Sequence, residues 1–258
     1  MPDAATPAPV GVEVVEVPAG RLRLVTLTRP DARNAMDTAL LMALADALDD
    51  ADRDAELRGL LVTGAAGMFS AGADVREPLG DGGRRRMELF TTVYEQLTLL
   101  RVPTAAAVEG YAVGGGAELA AACDLRVAAE DAVFRFPGAV HGIPVGTART
   151  VGQVGLSVAK DWVLSSRDVP AAEAFRTGFV QRLVAAGETV AVARTWLAQV
   201  AGRDPDTVAL LKRLFNDASG LRNRVAFEND ALRAQAETGR LDPGLDRDLP
   251  RTVRPRRV

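Results

Sequence analysis

Residues 109–144 read EGYAVGGGAELAAACDLRVAAEDAVFRFPGAVHGIP. Glycine is poor helix material, yet the triplet Gly114–Gly116 stands directly before a helix-like run that carries one carboxylate, Glu118, in its first turn. A backbone written this way approaches something closely. If a helix begins near Gly115, its leading N–H groups lack internal partners and sit at the positive end of the helix dipole, where they suit a developing oxyanion. Glu118 lies three residues on, on the same side of that turn, placed to act on a substrate whose oxygen the amide holds. Tight packing of strand against helix uses the same glycines and stays open as the alternative. Two nucleotide readings fail. A dinucleotide fingerprint needs a small residue where Leu119 stands after Gly114 and Gly116, and no Gly-Lys-Ser/Thr follows any glycine loop.

Working outward, "TAAAVEG" (104–110) and "DLRVAAE" (124–130) are strand-like, and "MELFTTVYEQLTLL" (87–100) and "GGGAELAAAC" (114–123) are helical. "GLLVTGA" (59–65) reads as a buried strand followed by the small-residue loop "MFSAGADV" (68–75). Two β-rich runs around Pro18-Ala19-Gly20 predict a hairpin, and Asp37 predicts the N-cap of a helix whose apolar positions are Leu40, Leu41, Leu44 and Leu48. The strands are apolar runs alternating with helices, so the expectation is α/β with a buried sheet. From about residue 157 the pattern is mostly helical. Residues 1–10 read as a disordered leader, 11–200 as the core and 201–258 as a C-terminal helical segment and tail, with "AQVAGRDPD" as the linker.

The chain has 258 residues, 48% hydrophobic and 25% charged, enough for one large domain. Lys+Arg 31 against Asp+Glu 34 gives a net charge of −3, without the positive excess that nucleic acid selects. The single cysteine, Cys123, cannot form an internal disulfide, and neither a signal segment nor a long apolar run is present, so a cytoplasmic protein without membrane partners is expected. With one cysteine and one histidine, His141, a zinc site built on such ligands is implausible, and no metal is expected.

An oxyanion hole needs a second donor from elsewhere, and "FSAGAD" (69–74) is the natural source. Taken in order, "RPDARNAM" (29–36), "GMFSAGADV" (67–75), "GYAVGGGAELAAACDLRVA" (110–128) and "AFRTGFVQRLV" (174–184) resemble the signature segments of the enoyl-CoA hydratase/isomerase, or crotonase, superfamily. The resemblance covers roughly residues 12 to 240. It implies a spiral of ββα repeats with a C-terminal helical segment that trimerises, giving trimers or hexamers. It also implies an acyl-CoA thioester held by the amides of Ala73 and Gly115, with coenzyme A as part of the substrate and no separate cofactor. Arg33 and Arg76 fall where relatives place basic side chains on the CoA phosphates, and Ala71 and Asp74 lie in the same CoA-binding segment. Glu118 matches a catalytic acid/base.

The sequence also departs from the pattern. Relatives that hydrate enoyl-CoA use a second glutamate directly after Pro137, where this chain has Gly138, and the aspartate of halide-displacing relatives aligns with Gly146. Naphthoate synthase relatives share a glycine at 138 but carry a following aspartate that "GIPVGTAR" lacks. His141 is the unusual candidate for the missing acid or base. Arg149 points to the acyl pocket or pairs with an acid, and Cys123 and Asp124 read as structural. The expected reaction is 2-enoyl-CoA hydration or double-bond isomerisation through an enolate, with Glu118 as acid/base. A C–C lyase or decarboxylase on the same scaffold, and a non-catalytic acyl-CoA-binding protein, are the alternatives.

Overall fold

Strands β1 (Val10–Val17) and β2 (Gly20–Leu27) form the predicted hairpin, with Val17 paired to Gly20 across the turn. The computed structural model describes residues 8–81 and 83–237. Residues 1–7 of the expected leader and the tail beyond 237 lie outside them. Residues 9 and 10 of the expected leader belong to the fold, because β1 begins at Val10 and Thr28 N–H bonds to Pro9 O at 3.0 Å.

The hairpin opens a six-stranded sheet of order β1-β2-β3-β4-β6-β9, in which β3 (Leu57–Gly64), β4 (Thr104–Val108), β6 (Leu125–Ala129) and β9 (Arg182–Val184) run parallel. β4 and β6 are buried along their whole length, which is why they read as unbroken apolar runs. A second sheet of order β5-β7-β8, from β5 (Tyr111–Val113), β7 (Val133–Arg135) and β8 (Val169–Pro170), lies beside it. The two sheets and their intervening helices form the expected α/β spiral of ββα turns.

Helix α1 (Thr38–Arg53) starts where Asp37 accepts Leu40 N–H at 2.8 Å, and it buries Leu40, Leu41, Leu44 and Leu48 as its spacing predicts. Helix α2 (Arg84–Leu99) starts three residues earlier than the apolar pattern suggests, because Asp81 accepts the N–H groups of Gly83 and Arg85 at its entry. Helix α3 (Gly115–Ala122) is buried almost throughout. α1, α2 and α3 pack on the second-sheet side around Phe69, Phe134, Trp162 and Phe179. α4 (Thr150–Val154), α5 (Leu156–Ser165) and α6 (Ala171–Arg176) follow, and α7 (Thr189–Ala201) covers the opposite face of the large sheet with Ala193, Leu197 and Ala201. α8 (Pro205–Ala218) and α9 (Leu221–Ala236) close the chain, and α9 packs back against α2. The short strands β8 and β9 interrupt what the sequence presents as a continuous helical region.

Candidate active site

Two segments meet at the end of the buried strands. The first follows β3 and is stitched to β5: Phe69 and Ser70 N–H bond to Glu109 and Tyr111 O, and Val113 N–H returns to Ser70 O. Beyond it, Met36 N–H bonds to Gly72 O at 2.7 Å and Asp74 N–H bonds to Met36 O at 3.0 Å. The peptides flanking Ala73 thus face Met36, and the N–H of Ala73 itself faces away and finds no acceptor among the described residues. The second segment is the glycine triplet. Gly115 opens α3, and its N–H also finds no acceptor among the described residues.

The approach of these segments explains the glycines. Gly72 has φ +89°, and a Cβ there would stand 2.5 Å from Val113 O and 3.2 Å from Gly115 N, so only glycine brings Ala73 beside α3. A Cβ on Gly116 would stand 2.6 Å from Ser70 O. Close packing and exposed amides are therefore two results of one arrangement. Tyr94, on α2, donates its hydroxyl to Gly115 O at 3.0 Å and fixes the orientation of that peptide. Burial, with the nearby Glu118 charge adding to it, pushes the phenol pKa well above its ordinary value, so the hydroxyl stays a donor.

Both segments open into a cavity of about 190 Å³ whose wall includes Ala73, Gly115, Glu118, His141, Arg149 and Glu228. The Glu118 side chain is buried, and neither of its carboxyl oxygens has a hydrogen-bond partner among the described residues. Arg149 Nη1 stands 3.6 Å from Oε2, close enough to pair by charge but too far for a hydrogen bond. Burial raises the Glu118 pKa to about 8, the Glu228 charge adds to the rise, and Arg149 opposes it. A buried acid of this kind holds its proton near neutrality and exchanges it within the physiological range. Free amides, a buried proton carrier and a cavity between them suit stabilisation of an enolate next to proton transfer.

The family model described as enoyl-CoA hydratase/isomerase matches residues 19–241. The chain belongs to the enoyl-CoA hydratase/isomerase family. A short-chain-enoyl-CoA hydratase of Clostridium acetobutylicum is 33% identical over 222 residues, 83% of this chain and 85% of that protein. Among solved structures, an enoyl-CoA hydratase/isomerase from Xanthobacter autotrophicus aligns with a TM-score of 0.79 at 29% identity, covering 93% of this chain and 88% of that one. A monofunctional enoyl-CoA isomerase from Mycobacterium smegmatis aligns with a TM-score of 0.70 at 32% identity, covering 83% and 94%. The crotonase fold and membership of an enzyme family thus follow together.

The cavity contains some of the sequence candidates and leaves others outside. Ala71, Ala73, Gly115, Glu118 and His141 all line the cavity. His141 is exposed at its edge, and partial burial together with Arg135 lowers its pKa. Arg33 and Arg76 are exposed and are not among the cavity residues. Asp74 is buried away from the cavity, bonded to Arg29 at 3.1 Å and to Arg76 N–H at 3.0 Å. Those bonds hold its carboxyl below the usual range against the opposing effect of burial. Asp124 accepts from Thr104 N–H and Lys212 and so joins β4, α3 and α8, as a structural residue does.

Gly138 faces the cavity, but a Cβ on it would lie 2.6 Å from Ile143 O and 3.1 Å from Val145 O. The 143–145 backbone therefore occupies the space a side chain at 138 needs. Arg149 resolves in favour of both options left open by the sequence, since it lines the cavity and stands beside an acid. Tyr94 and Glu228 escaped sequence reasoning. Glu228 Oε2 accepts from Thr147 N–H, Thr147 Oγ1–H and Ala148 N–H at 2.7, 2.7 and 2.9 Å, tying α9 to the segment before Arg149. Its signal was available, because Val225, Glu228 and Leu232 share one face of α9 and a carboxylate in an apolar stripe needs a reason.

Proposed function

We propose that the chain binds an enoyl-CoA thioester with its carbonyl oxygen between the N–H groups of Ala73 and Gly115, and that Glu118 moves the proton. The observation that carries this is the pair of amides without acceptors beside a buried, unbonded carboxyl group. Each such donor is worth roughly 3 kcal/mol in a transition state, so the backbone supplies a large share of the catalysis. Double-bond isomerisation suits a single carboxyl group. The Glu118 carboxylate takes a proton from the α carbon, the electrons move into the thioester oxygen to give a dienolate, and the same carboxyl group returns the proton at the γ carbon.

Hydration of a 2-enoyl-CoA is the second reading. There Glu118 takes a proton from water as its oxygen attacks the β carbon, then delivers it to the α carbon. Glu228 favours this reading because it puts a second carboxyl group on the cavity wall. Measuring crotonyl-CoA and a 3-enoyl-CoA side by side decides between them, and turnover of neither would overturn both.

The assembly belongs to the same proposal. Leu211 and Leu214 on α8, and Phe215 and Phe227, which are 72% and 81% exposed, present apolar surface suited to a trimer or a dimer of trimers. Arg33 and Arg76, exposed on the segments that flank the cavity, suit the CoA phosphates. The single cysteine suits a cytoplasmic protein.

A further inference from the structure

Arg149 is 4% exposed, lines the cavity and donates no hydrogen bond to any described residue. A guanidinium carries five N–H donors, and a buried one without acceptors is costly unless something else supplies them. Its surroundings supply little. Glu118 Oε2 is 3.6 Å from Nη1, and the Tyr94 ring lies beneath the guanidinium with its centroid 5.3 Å from Cζ. Glu228 forms no ion pair with it, and one Glu228 oxygen is already taken by Thr147 and Ala148. The Nε is sealed in protein, whereas the cavity is the open side of the group.

Arg86, the other arginine on this wall, is in a different position. Its Nη1 donates to Asp74 O at 2.6 Å and to Glu77 at 3.1 Å. Arg149 is thus the cation of the cavity that donates no hydrogen bond to a described residue, its ion-pair partner Glu118 standing at 3.6 Å, and its planar fork matches a carboxylate with two parallel bonds. Its place relative to the thioester is also fixed. Tyr94 bonds to Gly115 O at one end and lies under Arg149 with its ring, so about one aromatic side chain separates the oxygen-binding amides from the guanidinium.

We infer that the acyl group accepted here carries a carboxylate, bound by Arg149, so that the substrate is the CoA monothioester of a short unsaturated dicarboxylic acid. This deepens the proposed function and rests on it. The neutral apolar acyl chain is the competing occupant, and Phe90, Ile143 and Val145 give it a surface, but that surface leaves the Arg149 donors unmet.

Succinyl-CoA and butyryl-CoA test the inference, because they share a four-carbon acyl chain, differ in the terminal carboxylate, and are saturated. Isothermal titration of the full chain with each should show succinyl-CoA binding at least about tenfold more tightly. In Arg149→Met the ratio of the two affinities should fall to about one, and in Arg149→Lys it should be intermediate, since the charge remains without the fork. Equal affinities in the unaltered protein, tighter binding of butyryl-CoA, or a preference that survives Arg149→Met would each overturn the assignment. If Arg149→Met fails to fold, the wild-type ratio and Arg149→Lys decide the matter. Binding of neither thioester by the unaltered protein would instead overturn the thioester reading, and with it this one.

Discussion

Replacing Glu118 with glutamine separates a buried proton carrier from a helix-capping carboxylate through the pH dependence of stability. The Glu118 pKa of about 8 in the folded chain compares with about 4.5 when exposed. Below 4.5 both states hold the proton and the group contributes nothing pH-dependent. Between 4.5 and 8 the folded state holds one proton more than the unfolded state, so stability falls as pH rises. Above 8 both states are ionised and the loss is complete. A difference of this size corresponds to roughly 5 kcal/mol, taken as an upper bound because the cavity admits water. Glutamine does not titrate, and its altered contact with Arg149 adds only a constant offset. Urea unfolding of both proteins from pH 5 to 9 should therefore show the variant gaining on the parent by a few kcal/mol across that range, then levelling. A difference that stays constant with pH, or that grows in the parent's favour, would refute the buried-acid argument.

Turnover should follow the same group. Both proposed reactions begin from the Glu118 carboxylate, which is about one molecule in ten at pH 7, so kcat/KM should rise nearly tenfold per pH unit and flatten above 8; a flat profile from pH 6 to 8 counts against Glu118. Glu228→Gln retains an acceptor for Thr147 and Ala148 but removes the charge that raises the Glu118 pKa, so the midpoint of that profile should move below 8, and an unmoved midpoint dissociates the two groups. Gly138→Glu, which restores the hydratase pattern, should lower stability by about 1–3 kcal/mol through the clash with Ile143 O and should not raise crotonyl-CoA turnover; a stable variant with faster hydration would show that the loop yields. Phe215→Glu should shift light scattering from an oligomeric to a monomeric mass, and a monomeric parent would remove the assembly altogether.

The parts of this protein that were legible in its sequence are those written by neighbouring residues. Asp37 with its leucines specified α1, the Pro18-Ala19 turn specified the hairpin, and the buried parallel strands gave apolar runs. The glycine-opened helix and the small-residue loop after β3 were legible for the same reason, whereas the choice of Ala73 and Gly115 within them came from the family resemblance. Tyr94 and Glu228 were not legible, because each looks ordinary on its own helix, and Arg149 was legible only as two open options; all three acquire meaning where α2, α3, α9 and the 145–149 segment meet. Gly138 shows the same limit from the other side. The family resemblance marks it as the place of the hydratase glutamate, but only the backbone at 143–145 shows that a side chain there meets Ile143 O.

The charges in the cavity also account for one another. Glu228 is the acceptor in all three of its hydrogen bonds, as a carboxylate is, and Arg149 is a cation, so these two balance when Glu118 is protonated. Burial is the main reason the Glu118 proton stays until about pH 8, and ionisation would also add a second negative charge beside Glu228 that Arg149 only partly offsets. The same arithmetic applies to the proposed reaction. When Glu118 takes a proton from substrate, the negative charge moves from its carboxylate to the thioester oxygen, away from Glu228 and onto two N–H groups that have no other acceptor. In the proposed reaction, then, the features that make Glu118 a reluctant anion would make it an effective base toward a substrate seated on Ala73 and Gly115, with the backbone holding the charge.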